Sequence, residues 1–401
     1  MARLQPHRVL RVTLALALYA ILSITSTGLI PFSLAWLRYQ ISLSLESVCE
    51  YPWLFPSQDM KGLLQLENFK QSSAPATVVK RRNDEHHSRP PMAALVYLAQ
   101  FDSKVRIQDL KMSLSTLYQH FLSWCSHYPV YVFYQSQHKS LLTNELISCL
   151  QSCVHNLQLS ADSRFYGPVL QFYEISDFEA VPPFLNRSLL PELYIGRTMN
   201  YTMGYRYMCR FWAHGIFSQP SIAVLEYYWR FDSDLFLLRA IDYDPFKQMK
   251  SSKIGYIFGG TQEEDTWYAQ GLWNATLEHM RAKQIHPQHM SFLAKDHDRD
   301  IRSMSIDEAV DALKGIGYNH YSLYNNFELS RVDMWRSREY EELFHSLDRA
   351  GGIFLHRWGD APIRTLALFA LTETFQNFSR TTFVAQQWRG LCYFHQGLLT
   401  T

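Results

Sequence analysis

From Ala93 onward the chain alternates short apolar runs with longer segments of helical spacing. The run from Ala93 to Ala99 has the length and continuity of a buried parallel strand. Leu110, Leu114, Leu117 and Phe121 then recur every three or four residues, which predicts a helix over 107–124. Val130 to Tyr134 predicts a second strand. Leu146, Leu150 and Val154 predict a second helix over 141–157, and Val169 to Tyr173 a third strand. Strands alternating with helices through short links imply an α/β domain with a doubly wound, mostly parallel sheet flanked by helices. A further strand signal, Ile222 to Phe231, runs straight into Asp232-Ser233-Asp234. Val332, Trp335, Tyr340, Leu343, Phe344 and Leu347 share one side of a helix expected over 331–349, with Gly351-Gly352 as its stop.

The N-terminus follows another rule. No charge interrupts Val12 to Leu37, and about 20 apolar residues suffice to cross a bilayer. Arg3, Arg8 and Arg11 precede this run, which predicts a tail that stays cytosolic. The expected layout is a cytosolic tail at 1–11, a signal-anchor transmembrane helix at 12–37, a stem at 38–91 and one folded domain at 92–401. A cleaved signal peptide is the alternative, since Ser23 to Gly28 offers small residues for cleavage. Either way the domain crosses a membrane. There Asn186, Asn200, Asn274 and Asn377, each in an Asn-x-Ser/Thr triplet, become glycosylation candidates. Within the stem, Lys80-Arg81-Arg82 and His86-His87 read as solvated loop.

Charge and composition narrow the function. A net charge of +1 argues against binding nucleic acid. A hydrophobic fraction of 47% excludes a disordered chain, and six cysteines in 401 residues exclude a disulfide scaffold. Cys149 and Cys153, one helical turn apart, are poorly placed to bond each other, whereas Cys209 reads as core. No Gly-x-Gly-x-x-Gly follows the first strand, so a dinucleotide site is not expected.

Asp232-Ser233-Asp234 is the chemical centre of the pattern. In an open α/β sheet, ligands bind beyond the carboxyl ends of the strands. Two carboxylates at one bend there can hold a divalent cation and, through it, a diphosphate. The competing reading is a turn with capping acids.

Four blocks appear in order: Tyr205-Arg-Tyr-Met-Cys-Arg-Phe211, Tyr228-Trp-Arg-Phe-Asp-Ser-Asp234, Tyr318-Asn319 through Asn326-Phe-Glu328, and Arg357-Trp-Gly-Asp-Ala-Pro362. Together they resemble the fungal α-1,2-mannosyltransferases of the KRE2/MNT1 type, glycosyltransferase family 15, from about Ala93 to His395. The resemblance implies a GT-A-like fold. It also implies a type II Golgi membrane protein with its domain in the lumen. It further implies retaining transfer of mannose from GDP-mannose to a mannose-containing glycan acceptor, with Mn²⁺ as cofactor. By family position, Asp232, Asp234 and His395 are the expected metal ligands and Glu328 the expected catalytic carboxylate. Tyr205, Arg206 and Arg230 are expected at the acceptor or the diphosphate, and Glu264 and Asp360 at sugar hydroxyls.

This chain also departs from the pattern. The family's Glu-Pro-Asp is Asp232-Ser233-Asp234, Gln100 replaces an arginine after the first strand, and Ser322-Leu-Tyr-Asn325 replaces His-Phe-Trp-Ser. These changes keep open a second reading, an inactive paralogue that acts as a binding or assembly partner of active mannosyltransferases.

Overall fold

A computed structural model describes residues 89–371 except 197–199, 238–239 and 297–298, together with the backbone of 378–380 and 385–387. The expected tail, anchor and stem lie outside these residues, apart from the last few residues of the stem. Among the described residues no helix is long and apolar enough to cross a membrane.

A seven-stranded sheet organises the domain. Its strands, in chain order, are β1 (Ala93–Ala99), β2 (Val130–Gln135), β3 (Leu170–Ile175), β6 (Tyr227–Asp232), β8 (Tyr256–Phe258), β11 (Leu329–Arg331) and β12 (Phe378–Arg380). In space they run β12-β8-β11-β6-β1-β2-β3. β1 lies parallel to both β2 and β6, while β11 runs antiparallel between β6 and β8. The sheet is therefore mixed, with β11 as the reversed strand within a largely parallel frame. Two-stranded pairs add to it: β4 (Leu193–Ile195) with β5 (Asn200–Thr202), and β9 (Gly260–Glu263) with β10 (Tyr321–Tyr324).

Both faces of the sheet are covered, which is why its strands read as continuous apolar runs. Ala94, Val96, Tyr131, Phe133 and Tyr228 point to one core, and Ala93, Leu95, Val130, Val132 and Trp229 to the other. Helix α1 (Lys104–Leu117) packs on the second face. Helices α3 (Met203–Ala213), α7 (Arg338–Arg349) and α8 (Asp360–Ala370) pack on the first. Trp212, Trp229 and Trp335 are among the largest side chains that are fully buried.

Several boundaries differ from the sequence pattern. The strand expected from Ile222 begins at Tyr227, because Pro220 opens one turn of helix, Pro220–Ala223. The helix expected over 107–124 ends at Leu117 and continues as a wider turn, Tyr118–Leu122. The one expected over 141–157 is α2 (Asn144–Cys153), started by the Thr143 side chain. The helix expected over 331–349 is divided. Arg331 finishes β11, Val332–Trp335 makes one turn, and Ser337 caps α7 afresh. Its apolar residues are nonetheless buried, as the pattern predicts. Cys125, Cys149, Cys153 and Cys209 are free thiols.

Chain direction selects the working end. From β1 the chain leads to β2 on one side, whereas β6 pairs on the other. Such a switch point leaves a crevice at the strand ends. Leu98 of β1 is paired in register with Asp232 of β6 at this edge.

Candidate active site

Asp232 is the last residue of β6, and Ser233-Asp234 form the turn into β7 (Leu235–Leu237). Two residues earlier, Arg230 points to the same face of the strand, as period-two geometry requires. Its Nε and Nη2 each donate to Asp232 Oδ1 at 3.2 Å, and its Nη1 donates to Asp360 Oδ2 at 2.6 Å. Asp360 opens α8, and Asn325 Nδ2 donates to the same oxygen at 2.9 Å. The Trp212 ring lies 4.1 Å from the guanidinium carbon. One arginine thus joins a strand end to a helix start.

Charge at this point is unbalanced. Burial raises the Asp232 carboxyl to about 6; Arg230 pulls it down, while Asp234 and Asp360 push it further up. Burial would also raise Asp360, but Arg230 and Asn325 hold it below the ordinary carboxylate range. A divalent cation beside Asp232 and Asp234 would relieve this excess of negative charge. Hard cations such as Mg²⁺ and Mn²⁺ accept one or two carboxylates and complete their shell with water and phosphate oxygens. The donor set fits that chemistry. Among the described residues, no group of three or more His, Cys, Asp or Glu forms a metal site, and His395 lies outside them.

A second arginine organises the neighbouring wall. Arg357 donates through Nη1 to Glu264 Oε1 at 3.1 Å and through Nη2 to the Tyr205 hydroxyl at 2.6 Å. The rings of Tyr201, Tyr205 and Tyr268 surround its guanidinium at 4.2, 4.8 and 4.6 Å. Its φ of 61° is left-handed, a conformation that costs a non-glycine residue about 1–2 kcal/mol. The contacts on its side chain offset that cost. Trp358 beside it lies flat on Gly352, where an added Cβ would come 2.1 Å from the indole. Burial pushes the Tyr205 hydroxyl well above its usual range and raises Glu264, with Arg357 opposing both shifts.

Three expected site residues are buried in the frame of the site. Glu328 is fully buried and faces the core rather than the open crevice. Tyr228 donates to its Oε1 at 2.5 Å, Tyr256 to its Oε2 at 2.6 Å, and Arg364 pairs with Oε1 at 2.9 Å. Nor does Glu328 cap a helix; it immediately precedes β11, and its carbonyl accepts the Arg230 amide at 2.8 Å. It is a positioning residue beneath β6. Arg206 is likewise sealed, donating to the backbone carbonyls of Phe354, Pro191 and Glu192, so it braces α3 rather than meeting a ligand. Arg230, 3% exposed, directs its donors to the carboxylates of Asp232 and Asp360. Tyr205, Glu264, Asp232, Asp234 and Asp360 are the expected residues brought together around the crevice.

Sequence reasoning missed Arg357, Asn325 and Arg364. Arg364 had a legible signal, as one cation inside the apolar run of α8. Its guanidinium lies 3.8 Å from the Trp335 ring centre and also donates to the Tyr228 hydroxyl at 2.6 Å. Asn186, Asn200 and Asn274 are exposed, while Asn377 lies outside the described residues.

With this geometry in hand, comparison with known proteins is decisive at the family level. A family model described as glycolipid 2-alpha-mannosyltransferase matches residues 58–392. The chain belongs to this family. It is 35% identical over 179 residues to the alpha-1,2 mannosyltransferase KTR1 of Saccharomyces cerevisiae, covering 44% of this chain and 42% of that protein. It is 37% identical over 163 residues to glycolipid 2-alpha-mannosyltransferase 1 of Candida albicans, covering 41% and 35%. The aligned part thus spans about two fifths of the length of these curated relatives. Among solved structures, core-mannan synthase A (CmsA/Ktr4) of Aspergillus fumigatus, in a Mn/GDP form, superposes with a TM-score of 0.59 at 22% identity, over 79% of this chain and 81% of that one. Ktr4p of S. cerevisiae in complex with GDP gives 0.58 at 20% identity, over 87% and 86%. At these identities the likeness shows the fold, a GT-A-like mixed sheet flanked by helices.

Removing one partner of a buried ion pair leaves a charge stranded and typically costs about 3–5 kcal/mol. Glu328→Gln should therefore lower the unfolding free energy by about that much, read from urea denaturation. A variant as stable as the parent would contradict the bracing role.

Proposed function

We propose that this protein is a retaining α-1,2-mannosyltransferase that moves mannose from GDP-mannose to a mannoside acceptor and uses Mn²⁺. The observation that carries the reading is the acid-x-acid turn at the end of β6, tied through Arg230 to Asp360, in a chain of this family. Relatives named as α-1,2-mannosyltransferases and a structural neighbour in a Mn/GDP form support it.

Asp232 and Asp234 would hold the cation, which when bound offsets the charge that develops on the diphosphate leaving group. The other residues bind and orient. Asp360 stays ionised and can accept a sugar hydroxyl. Glu264, fixed by Arg357, can accept another. The Tyr205 oxygen already accepts from Arg357, which leaves its O–H to donate to a ligand oxygen. Both carboxylate oxygens of Glu328 are already held by Tyr228, Tyr256 and Arg364, so attack on the face that the diphosphate leaves accounts for retention better than a covalent step at Glu328. Its charge acts from beneath the site.

We further read residues 12–37 as the anchor of a single-pass type II Golgi protein, with the domain in the lumen. The basic tail and the exposed Asn186, Asn200 and Asn274 support that topology. The acceptor is a mannose-containing glycan on protein or lipid, and assembly with other mannosyltransferases is compatible with this location.

The full chain in detergent, given GDP-mannose, Mn²⁺ and methyl α-mannoside, should release GDP and form an α-1,2-linked dimannoside. Chelation should abolish turnover, and Asp234→Asn should lower kcat/KM by about 100-fold or more. A folded chain that neither turns over nor binds GDP with Mn²⁺ would favour the binding-partner reading instead.

Protons and metal compete for Asp232, whose carboxyl ionises near 6 without the ion. Mn²⁺ affinity should therefore fall as the pH drops through about 6, as titration calorimetry would show. An affinity unchanged between about pH 5 and 7 would remove Asp232 from the ligand set.

A further inference from the structure

We propose that the cleft lined by Ile195, Gly196, Thr266 and Trp267 is a second acceptor subsite, holding the sugar ring next to the one that receives mannose. The inference rests on the transferase reading above and extends it to the length of the acceptor. The cleft encloses about 390 Å³, within the range of small-ligand sites.

Three observations converge on a neutral sugar. First, the cleft presents large apolar side chains to water: Trp267 is 50% exposed and Ile195 74%. The Trp267 backbone is nonetheless pinned, its amide donating to Asp265 Oδ1 at 2.9 Å. An exposed indole on an anchored backbone suits a pyranose, which has an apolar C–H face and a rim of hydroxyls. Second, among the described residues the four that line the cleft are uncharged, as a neutral ligand requires. Third, the cleft lies next to the candidate active site along the chain and through one aromatic contact. Trp267 follows Glu264 by three residues, and its neighbour Tyr268 stacks on Arg357, which holds Glu264 and Tyr205. Ile195, which lines the cleft, follows Tyr194 of β4, whose ring centre lies 6.3 Å from that of Tyr268. An acceptor whose terminal sugar meets Tyr205 and Glu264 would thus lay its next ring along Trp267.

The test uses the full chain and two acceptors, methyl α-mannoside and the methyl glycoside of α-1,2-mannobiose. Trp267→Ala should raise the ratio of disaccharide KM to monosaccharide KM by about tenfold, the scale of exposing one buried ring face. Trp267→Phe should keep most of the parental ratio, which separates lost stacking from misfolding. Tyr166→Ala, an 89% exposed side chain outside the cleft, should leave the ratio unchanged. A ratio unmoved by Trp267→Ala overturns the subsite. Binding of the disaccharide without donor, followed by saturation-transfer NMR, separates this inference from the transferase reading. If the parent transfers nothing, a disaccharide signal lost in Trp267→Ala still supports the subsite while the transferase reading fails. Equal signals in both proteins, or no signal in the parent, overturn the subsite.

Discussion

The site depends on one buried cation. Arg230 is enclosed by Asp232, Asp360, Asn325 and Trp212, directly or through the carboxylate it grips. Burying a guanidinium costs several kcal/mol unless carboxylates and hydrogen bonds replace its water. That penalty is a constraint on everything around it. The end of β6, the loop before β11 and the first residue of α8 must meet at one point, or the charge is left unpaired. Three segments distant in sequence are thereby fixed around the two acids that face the crevice.

A second, deeper pair lies beneath the first. Glu328 and Arg364 neutralise each other in the core, with Tyr228 and Tyr256 closing the remaining acceptor positions. Arg364 rises from α8, the helix that Asp360 begins, and Glu328 sits where β11 meets β6. The two pairs therefore cross-brace the same helix and the same strand. Arg357 repeats the device at the side wall, where aromatic faces replace one of the carboxylates. Such networks rigidify when fully satisfied, and a binding site gains from being rigid before its ligand arrives.

Much of this was legible in the sequence. β1 stands where its apolar run placed it, and β2 and β3 within one or two residues; β1 and β2, buried on both faces, leave the clearest signature. The acid-x-acid turn was found by its position after a strand. What the pattern hid was direction and depth. Nothing in Leu329–Arg331 announces an antiparallel strand; its three residues gain their conformation from β6 and β8 on either side. Glu328 and Arg206 looked like site residues because motifs record that a position matters, not whether it faces a ligand or a core. Arg357 was in plain view inside a quoted motif, but its function comes from tyrosines that sequence distance separates and folding gathers. The ligand set beyond Asp232 and Asp234 includes His395, outside the described residues, and stays an expectation.

The most direct measurement of the central claim is a double-mutant cycle on Mn²⁺ affinity between Arg230 and Asp360. Neither is an expected metal ligand, so any effect must pass through the geometry and the charge they impose on Asp232. Arg230→Lys and Asp360→Asn should each weaken Mn²⁺ binding, and the double variant should be little worse than either alone. That outcome corresponds to a coupling energy within the range of about 0.5–3 kcal/mol seen for contacting residues. Strictly additive losses, or single variants that bind Mn²⁺ as the parent does, would contradict the account.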